Sequence, residues 1–167
     1  MTVRVQSGPF DSGRELAALG GAETKAGAMA CFVGKVRSVS ANPIASMTVE
    51  HYPGMTEAAI SQHVDEAKRR WPLLDCLVIH RFGKLMPGEN IVMVAVLAEH
   101  RSEAFRAAEF LMDYLKSRAP FWKKEMTPAG SRWVEAVRQD EEALQRWDSE
   151  PASSDQNQSF SDFHPSG

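Results

Sequence analysis

Met112-Asp-Tyr-Leu-Lys-Ser-Arg-Ala-Pro-Phe-Trp-Lys-Lys-Glu125 places two lysines on opposite sides of a proline. The apolar spacing before Pro120 reads as the end of an amphipathic helix, and the proline stops it. A chain that turns back there can bring the Lys116 and Lys123 ammonium groups to one pocket. Two convergent cations suit an anionic ligand. Phe121 and Trp122 set large apolar surface beside Lys123. An ammonium partly desolvated there gives up its proton more readily and can act as acid and base near neutrality. The plainer alternative is a solvated basic end made of Lys116, Arg118, Lys123 and Lys124. The helix dipole favours a cation at Lys116 in any case.

Three other segments carry chemistry-bearing residues. In Phe32-Val-Gly-Lys-Val-Arg37 a glycine interrupts a strand pattern. Gly34 implies a bulge or a close approach by backbone or ligand. Arg37 at the strand's end can clamp a phosphate or carboxylate bidentately, or it is a surface arginine beside a bulge. In His51-Tyr-Pro-Gly-Met55 a strand ending at a turn can set an imidazole and a phenol at a pocket rim, or it is a packed turn. In Glu99-His-Arg-Ser102 a strand runs into a helix start, whose free N–H groups and dipole favour an anion. His100 and Arg101 add donors there; the alternative is a capping or interior histidine.

Other routes find no support. The sequence has no glycine-rich phosphate loop, nucleophile elbow or paired-cysteine motif. Its five histidines lack metal-ligand spacing, so no metal and no cofactor are expected. Cys31 and Cys76 each sit in an apolar run, the usual place for an inert thiol.

The elements that must position these residues follow from periodicity. Residues 3–5, 28–39, 47–52, 76–82 and 91–98 read as strands, and 132–137 as a final one. The run 91–98 is continuously apolar, so it is expected to be buried on both faces. Asp11 or Ser12 starts a short helix through Leu16 and Leu19 that ends at Gly20-Gly21. A second helix starts at Thr56, with Ile60, Val64, Ala67 and Trp71 on one face and Lys68, Arg69 and Arg70 in its last turn. A third is capped by Ser102 and buries Phe105, Ala108, Met112 and Leu115, with Leu111 beside them. Residues 40–45 and 84–90 read as a loop and a turn, and the segment after Pro120 as a crossing. Strands and helices in this order give an α+β domain over 1–147. From Trp147 the chain turns polar and acidic, so 148–167 is expected to be a disordered tail.

Composition narrows the class. The chain has 167 residues, 43% hydrophobic and 25% charged, ordinary for a globular protein. No apolar run is long enough for a membrane span, and no secretory signal precedes the first strand. Two isolated cysteines indicate a reducing compartment, hence the cytoplasm. Net charge is −3, but residues 140–167 alone carry −6, which leaves a body of +3. That balance suits a small anion or an acidic protein partner and is too weak for nucleic acid.

Taken together, the strings resemble one family, the catalytic (large) subunit of molybdopterin synthase. The matching strings are Phe32-Val-Gly-Lys-Val-Arg37, Glu50-His-Tyr-Pro-Gly-Met-Thr-Glu57, Val78-Ile-His-Arg81, Ala98-Glu-His-Arg-Ser102, the segment 112–125, and Arg132-Trp-Val-Glu135. They cover roughly residues 28–138, in order. The resemblance implies an α/β hammerhead with an added antiparallel β region. It also implies sulfur transfer: a cyclic pyranopterin monophosphate becomes molybdopterin. The sulfur comes as a thiocarboxylate on the Gly-Gly C-terminus of a small ubiquitin-like subunit. The implied assembly is a homodimer of large subunits within a heterotetramer.

By the same resemblance Lys116 and Lys123 are the reacting pair. Arg37, His100 and Arg101 line the anion pocket, Lys35 and Val36 lie beside Arg37, and Lys124 and Glu125 complete the matching string. Phe32 and Met112 would line the channel or belong to the core. Arg138 is a further candidate for the substrate phosphate, although it departs from the family pattern, which commonly places an arginine one position earlier. Two other readings stay open: a non-catalytic module that binds a ubiquitin-like tail or small anion, and an enzyme in which Cys31 or Cys76 carries the sulfur.

Overall fold

The computed structural model describes residues 1–21, 23–41, 43–134, 142, 143 and 145–148. Among the described residues, eight strands and three α-helices follow one another from Thr2 to Val134. They are β1 (Thr2–Gln6), α1 (Ser12–Gly20), β2 (Ala28–Lys35), β3 (Ser46–His51), α2 (Met55–Arg70), β4 (Leu73–Arg81), β5 (Gly83–Leu85), β6 (Asn90–Ala98), α3 (Arg101–Ser117), β7 (Phe121–Thr127) and β8 (Gly130–Val134). A 3₁₀ turn, Arg146–Asp148, follows. The strands form two sheets, ordered β1-β4-β6-β2 and β5-β3-β7-β8. Only β1 and β4 run parallel; every other pair is antiparallel. This is the expected α+β class with its additional antiparallel region. Among the described residues no helix is long and apolar enough to cross a membrane.

The first sheet separates two apolar layers, and the period of two along each strand decides which residue enters which. Cys76 and Val78 of β4, with Val92, Val94 and Val96 of β6, pack beneath α2 and α3. Leu77 and Ile79 of β4, with Met93 and Ala95 of β6, face the opposite layer, where Leu16 and Leu19 of α1 cover them. Strand β6 is therefore buried on both faces, as its unbroken apolar run predicts. In α2, Ile60, Val64 and Ala67 are buried in the expected register, and Trp71 just beyond it.

Several boundaries differ from expectation, each for a local reason. Strand β2 stops at Lys35 because its register with β6 slips between Gly34 and Lys35. A side chain at Gly34 would lie 2.6 Å from Val92 Cγ1, so the glycine permits a close approach within the sheet. The expected turn 84–90 begins inside β5, which pairs with β3. The expected crossing after Pro120 is strand β7, paired to β3 and β8. The final strand lies at Gly130–Val134, and 135–137 fall outside the described residues.

Helix α3 starts at Arg101 with His100 as its N-cap, two residues before the expected cap Ser102. Its buried stripe is Ala104, Ala107, Ala108, Leu111, Tyr114 and Leu115, joined by Phe110. Phe105 sits beside that stripe and is 65% exposed, against expectation.

Trp147 also departs from the polar tail expected to begin there. It is 4% exposed and meets Trp71 and Phe110 edge-on at 5.7 and 5.6 Å. Its Nε1 donates to Asp113 Oδ2 at 2.8 Å, and Arg70 Nη1 donates to its carbonyl oxygen at 2.8 Å. Arg146 adds ion pairs to Glu109 and Asp113. The tail residues 149–167 lie outside the described set.

The two sheets meet at the corner after α3. Thr56 Oγ1, in the first turn of α2, donates to Pro120 O at 3.2 Å. Phe121, the first residue of β7, stacks on His80 of β4 at 3.7 Å and 17°. His80 is 2% exposed. Burial holds its imidazole neutral, pushing it down from 6.5 to about 3, and the nearby Lys123 ammonium acts in the same direction.

Two stability outcomes follow. Trp147→Ala should cost about 3 kcal/mol in urea denaturation, because it empties an aromatic site and removes one of the two donors on the Asp113 carboxylate. Acid should also weaken the fold through His80. Its imidazole binds no proton when folded until about pH 3, but binds one at about 6.5 when unfolded. Its contribution is full above pH 6.5 and is lost as pH falls toward 3. Denaturation midpoints across that window should decline less in His80→Gln than in the unsubstituted protein; equal slopes would refute the assignment.

Candidate active site

A cleft of about 500 Å³ opens between the end of β2, the last turns of α3 and the face of β7. Each wall contributes a cation. Lys35 ends β2 and Arg37 follows it, Lys116 lies in the last turn of α3, and Lys123 is the third residue of β7. The two lysines on either side of Pro120 thus line one cavity. The turn that brings them there is held by Thr56 on Pro120 and by Phe121 on His80. Lys35 Nζ donates to Gly88 O at 3.1 Å, which ties the β2 end to the turn before β6. Phe32, Met112 and Leu115 give the cleft an apolar wall.

Among the described residues the cleft lining contains four cations and no carboxylate. Like charges gathered beside low-dielectric walls focus a positive potential, so an anionic ligand is drawn in and held. An oxyanion developing among them is stabilised without reorganisation of the charges.

A second cavity of about 540 Å³ shares Phe32, Met112 and Lys116 with the first and extends along β2 and α3 past Cys31, Phe105 and Asp113. The two together form a groove that leads to Lys116. Phe105, displaced from the core, is 65% exposed on its wall.

Other candidates take different places. His100 and Arg101 are exposed at the start of α3, and Lys116 is near its end. Fifteen residues at ~1.5 Å each separate Arg101 from Lys116 by about 22 Å, so within one chain they do not share the cleft. Val36 is 3% exposed in the core, and its backbone bonds Gly88 and Glu89, so its side chain is structural. Lys124 points to the opposite face of β7 from Lys123, as strand alternation requires. Its Nζ lies 5.4 Å from the Trp133 ring centroid. Glu125 shares the Lys123 face, but its Oε2 accepts from Arg132 Nε and Nη2 at 2.8 and 2.6 Å. Arg138 lies outside the described residues.

His51 and Tyr52 form a packed turn and do not line the cleft. The His51 ring centroid is 4.4 Å from that of Phe82, and Tyr52 meets Trp122 edge-on at 4.7 Å. Cys76 is fully buried and its thiol is pushed up to about 12. Cys31 is exposed in the groove, contrary to the expected interior position, and partial desolvation raises its thiol too. Both stay protonated near neutrality, which disfavours either as a nucleophile. Sequence reasoning missed His80 as a cleft residue. The signal was available: it is a polar residue in the otherwise apolar run Leu77-Val-Ile-His80.

Comparison with known proteins identifies relatives over most of the chain. The family model described as "MoaE protein" matches residues 5–118. A molybdopterin synthase catalytic subunit of Ralstonia nicotianae is 56% identical over 147 residues, spanning 87% of this chain and 84% of that protein. The Escherichia coli protein of the same name is 52% identical over 140 residues, spanning 83% and 93%. Among solved structures, a molybdopterin biosynthesis MoaE protein from Burkholderia ambifaria superposes with a TM-score of 0.76 at 53% identity, covering 89% of this chain and 99% of that one. The molybdopterin synthase structure from Staphylococcus aureus gives 0.72 at 29% identity, covering 78% and 95%. With its fold and residues 5–118 matched, the chain belongs to the MoaE family.

Proposed function

We propose that this chain is the catalytic subunit of a molybdopterin synthase. It converts cyclic pyranopterin monophosphate into molybdopterin with sulfur from the C-terminal thiocarboxylate of a small ubiquitin-like subunit. The observation that carries this reading is the convergence of Lys116 and Lys123 on one cleft with Arg37 and Lys35. The substrate is anionic through its phosphate and the donor through its thiocarboxylate, so a lining with four cations and no acid fits both.

The groove along β2 and α3 gives an extended Gly-Gly tail a course that ends at Lys116. Lys116 then polarises the thiocarboxylate or the oxyanion formed from it. Lys123, on the facing wall, handles the protons as sulfur displaces oxygen on the pterin. The two lysines can exchange these roles. For each sulfur, the thiocarboxylate sulfur bonds to the pterin carbon, whose oxygen leaves as water, and a water then cleaves the resulting thioester. This leaves the sulfur on the pterin and the donor as an ordinary carboxylate, so two tails are used per product. No cofactor is required for these steps. The free thiols of Cys31 and Cys76 are consistent with the cytoplasm.

A non-catalytic binding module would need an anion site but no second lysine opposite the first. Lys116→Ala and Lys123→Ala should each lower molybdopterin formation about 100-fold or more, while circular dichroism and donor docking stay unchanged. Near-normal turnover in both would defeat the reading. Cys31→Ser should leave transfer intact, whereas a cysteine carrier predicts its loss.

His100 and Arg101 enter this scheme through the homodimer. Because α3 separates them from their own chain's Lys116, a second copy must supply them to the cleft. Arg101→Ala and Lys116→Ala proteins, each inactive alone, should regain about a quarter of wild-type activity when subunits are mixed and re-associated. No regain in verified mixed dimers would place Arg101 outside the site.

A further inference from the structure

The cleft wall holds one titratable group with no part in the scheme above, His80. It stands at the end of β4, on the face that carries Cys76 and Val78 toward the helices. Its Nδ1 lies 2.9 Å from the main-chain oxygen of Arg81. A carbonyl only accepts, so Nδ1 carries the hydrogen and the neutral ring presents Nε2 as a bare acceptor. One face of the ring is covered by Phe121. Phe121 and Lys123 stand two residues apart on the same face of β7, so the ring packed on the first lies beside the stem of the second. Both His80 and Lys123 line the cleft, and the lysine's charge acts on the ring.

The charged and titratable groups around this ring come from every neighbouring element. Lys123 faces it from β7 and His51 from β3, while Lys116 of α3 and Arg37 after β2 stand on the same cleft. The Arg81 guanidinium turns away to the carbonyl oxygens of Ser7 and Asn90. None of these groups is a carboxylate that would support an imidazolium, so the ring remains neutral.

We infer that His80 is a positioning residue for the reaction: its bare Nε2 accepts a hydrogen bond from Lys123 Nζ and aims that ammonium into the cleft. A carboxylate in the same place would also hold the lysine, but it would cancel the positive field that the anionic substrate and donor require. A buried neutral imidazole fixes the direction and leaves the charge. The inference rests on Lys123 being a reacting group.

The test uses the full chain assembled with its thiocarboxylated small subunit. His80→Leu removes the acceptor. Its kcat for molybdopterin formation should fall about 10–100-fold, with KM for the pyranopterin within about twofold, since ground-state binding keeps its cations. The Lys123 Nζ titration, followed by NMR and assigned by its absence in Lys123→Ala, should move to lower pH, because the charged form loses an acceptor. His80→Gln, whose amide oxygen reaches the Nε2 position, should restore most of the rate and the titration. His80→Asn, which is too short, should not. A folded His80→Leu with wild-type kcat and an unmoved Lys123 titration would overturn the inference. If His80→Leu does not fold, equal activity of the Gln and Asn variants would overturn it. Should Lys123→Ala itself retain turnover, the sulfur-transfer assignment fails first. If that variant is inactive while His80→Leu is normal, only the positioning role fails.

Discussion

The cleft depends on the corner at Pro120. One of the two cleft lysines, Lys116, belongs to a helix packed on the first sheet, and the other, Lys123, to a strand of the second. Nothing in either element alone fixes the distance between them. The corner does so through two contacts of different kinds. The Thr56 hydroxyl holds the Pro120 carbonyl, which ties the start of α2 to the end of the turn. The His80 ring holds Phe121, which ties β4 to β7. Proline removes the N–H that would continue the helix and restricts the residue before it, so the chain leaves α3 in a defined direction. A one-residue slip in β7 would send Lys123 to the outer face and bring Trp122 and Lys124 inward.

The surrounding core serves this geometry by being stiff. Strand β6 is buried on both faces and paired on both edges, so it cannot shift without disturbing two apolar layers. Helix α3 lies over β2 and β6, and its own stripe of alanines lets it approach closely. Trp147 closes the far side of α2 and α3 and draws Asp113 into its hydrogen bond. The groove wall is thereby linked to the last described turn of the chain.

Much of this was legible in the amino acids. Continuous apolar character identified β6, the 3.6-residue period identified α2, and the residues flanking Pro120 identified the two lysines. Strand β7 was not legible, because Phe121-Trp-Lys-Lys-Glu-Met-Thr127 turns Lys123 to the cleft and lacks the inner apolar face by which a strand is recognised. Phe105 misled because a large apolar residue one step from a helical stripe resembles a member of it. The remoteness of His100 and Arg101 was implicit in the length of α3; grouping them with Lys116 by chemistry overlooked the rise per residue. Trp147 was hidden by its polar neighbours, since composition over a window cannot show one buried ring.

The all-cationic lining has one further consequence. A thiocarboxylate and the carboxylate it becomes carry the same single negative charge. In the proposed reaction Lys35, Arg37, Lys116 and Lys123 would therefore attract a spent donor as strongly as a loaded one. Recognition of a fresh tail then has to rest on the size and softness of sulfur against the apolar wall of Phe32 and Met112. Turnover requires the exhausted tail to escape a field that has no electrostatic reason to release it.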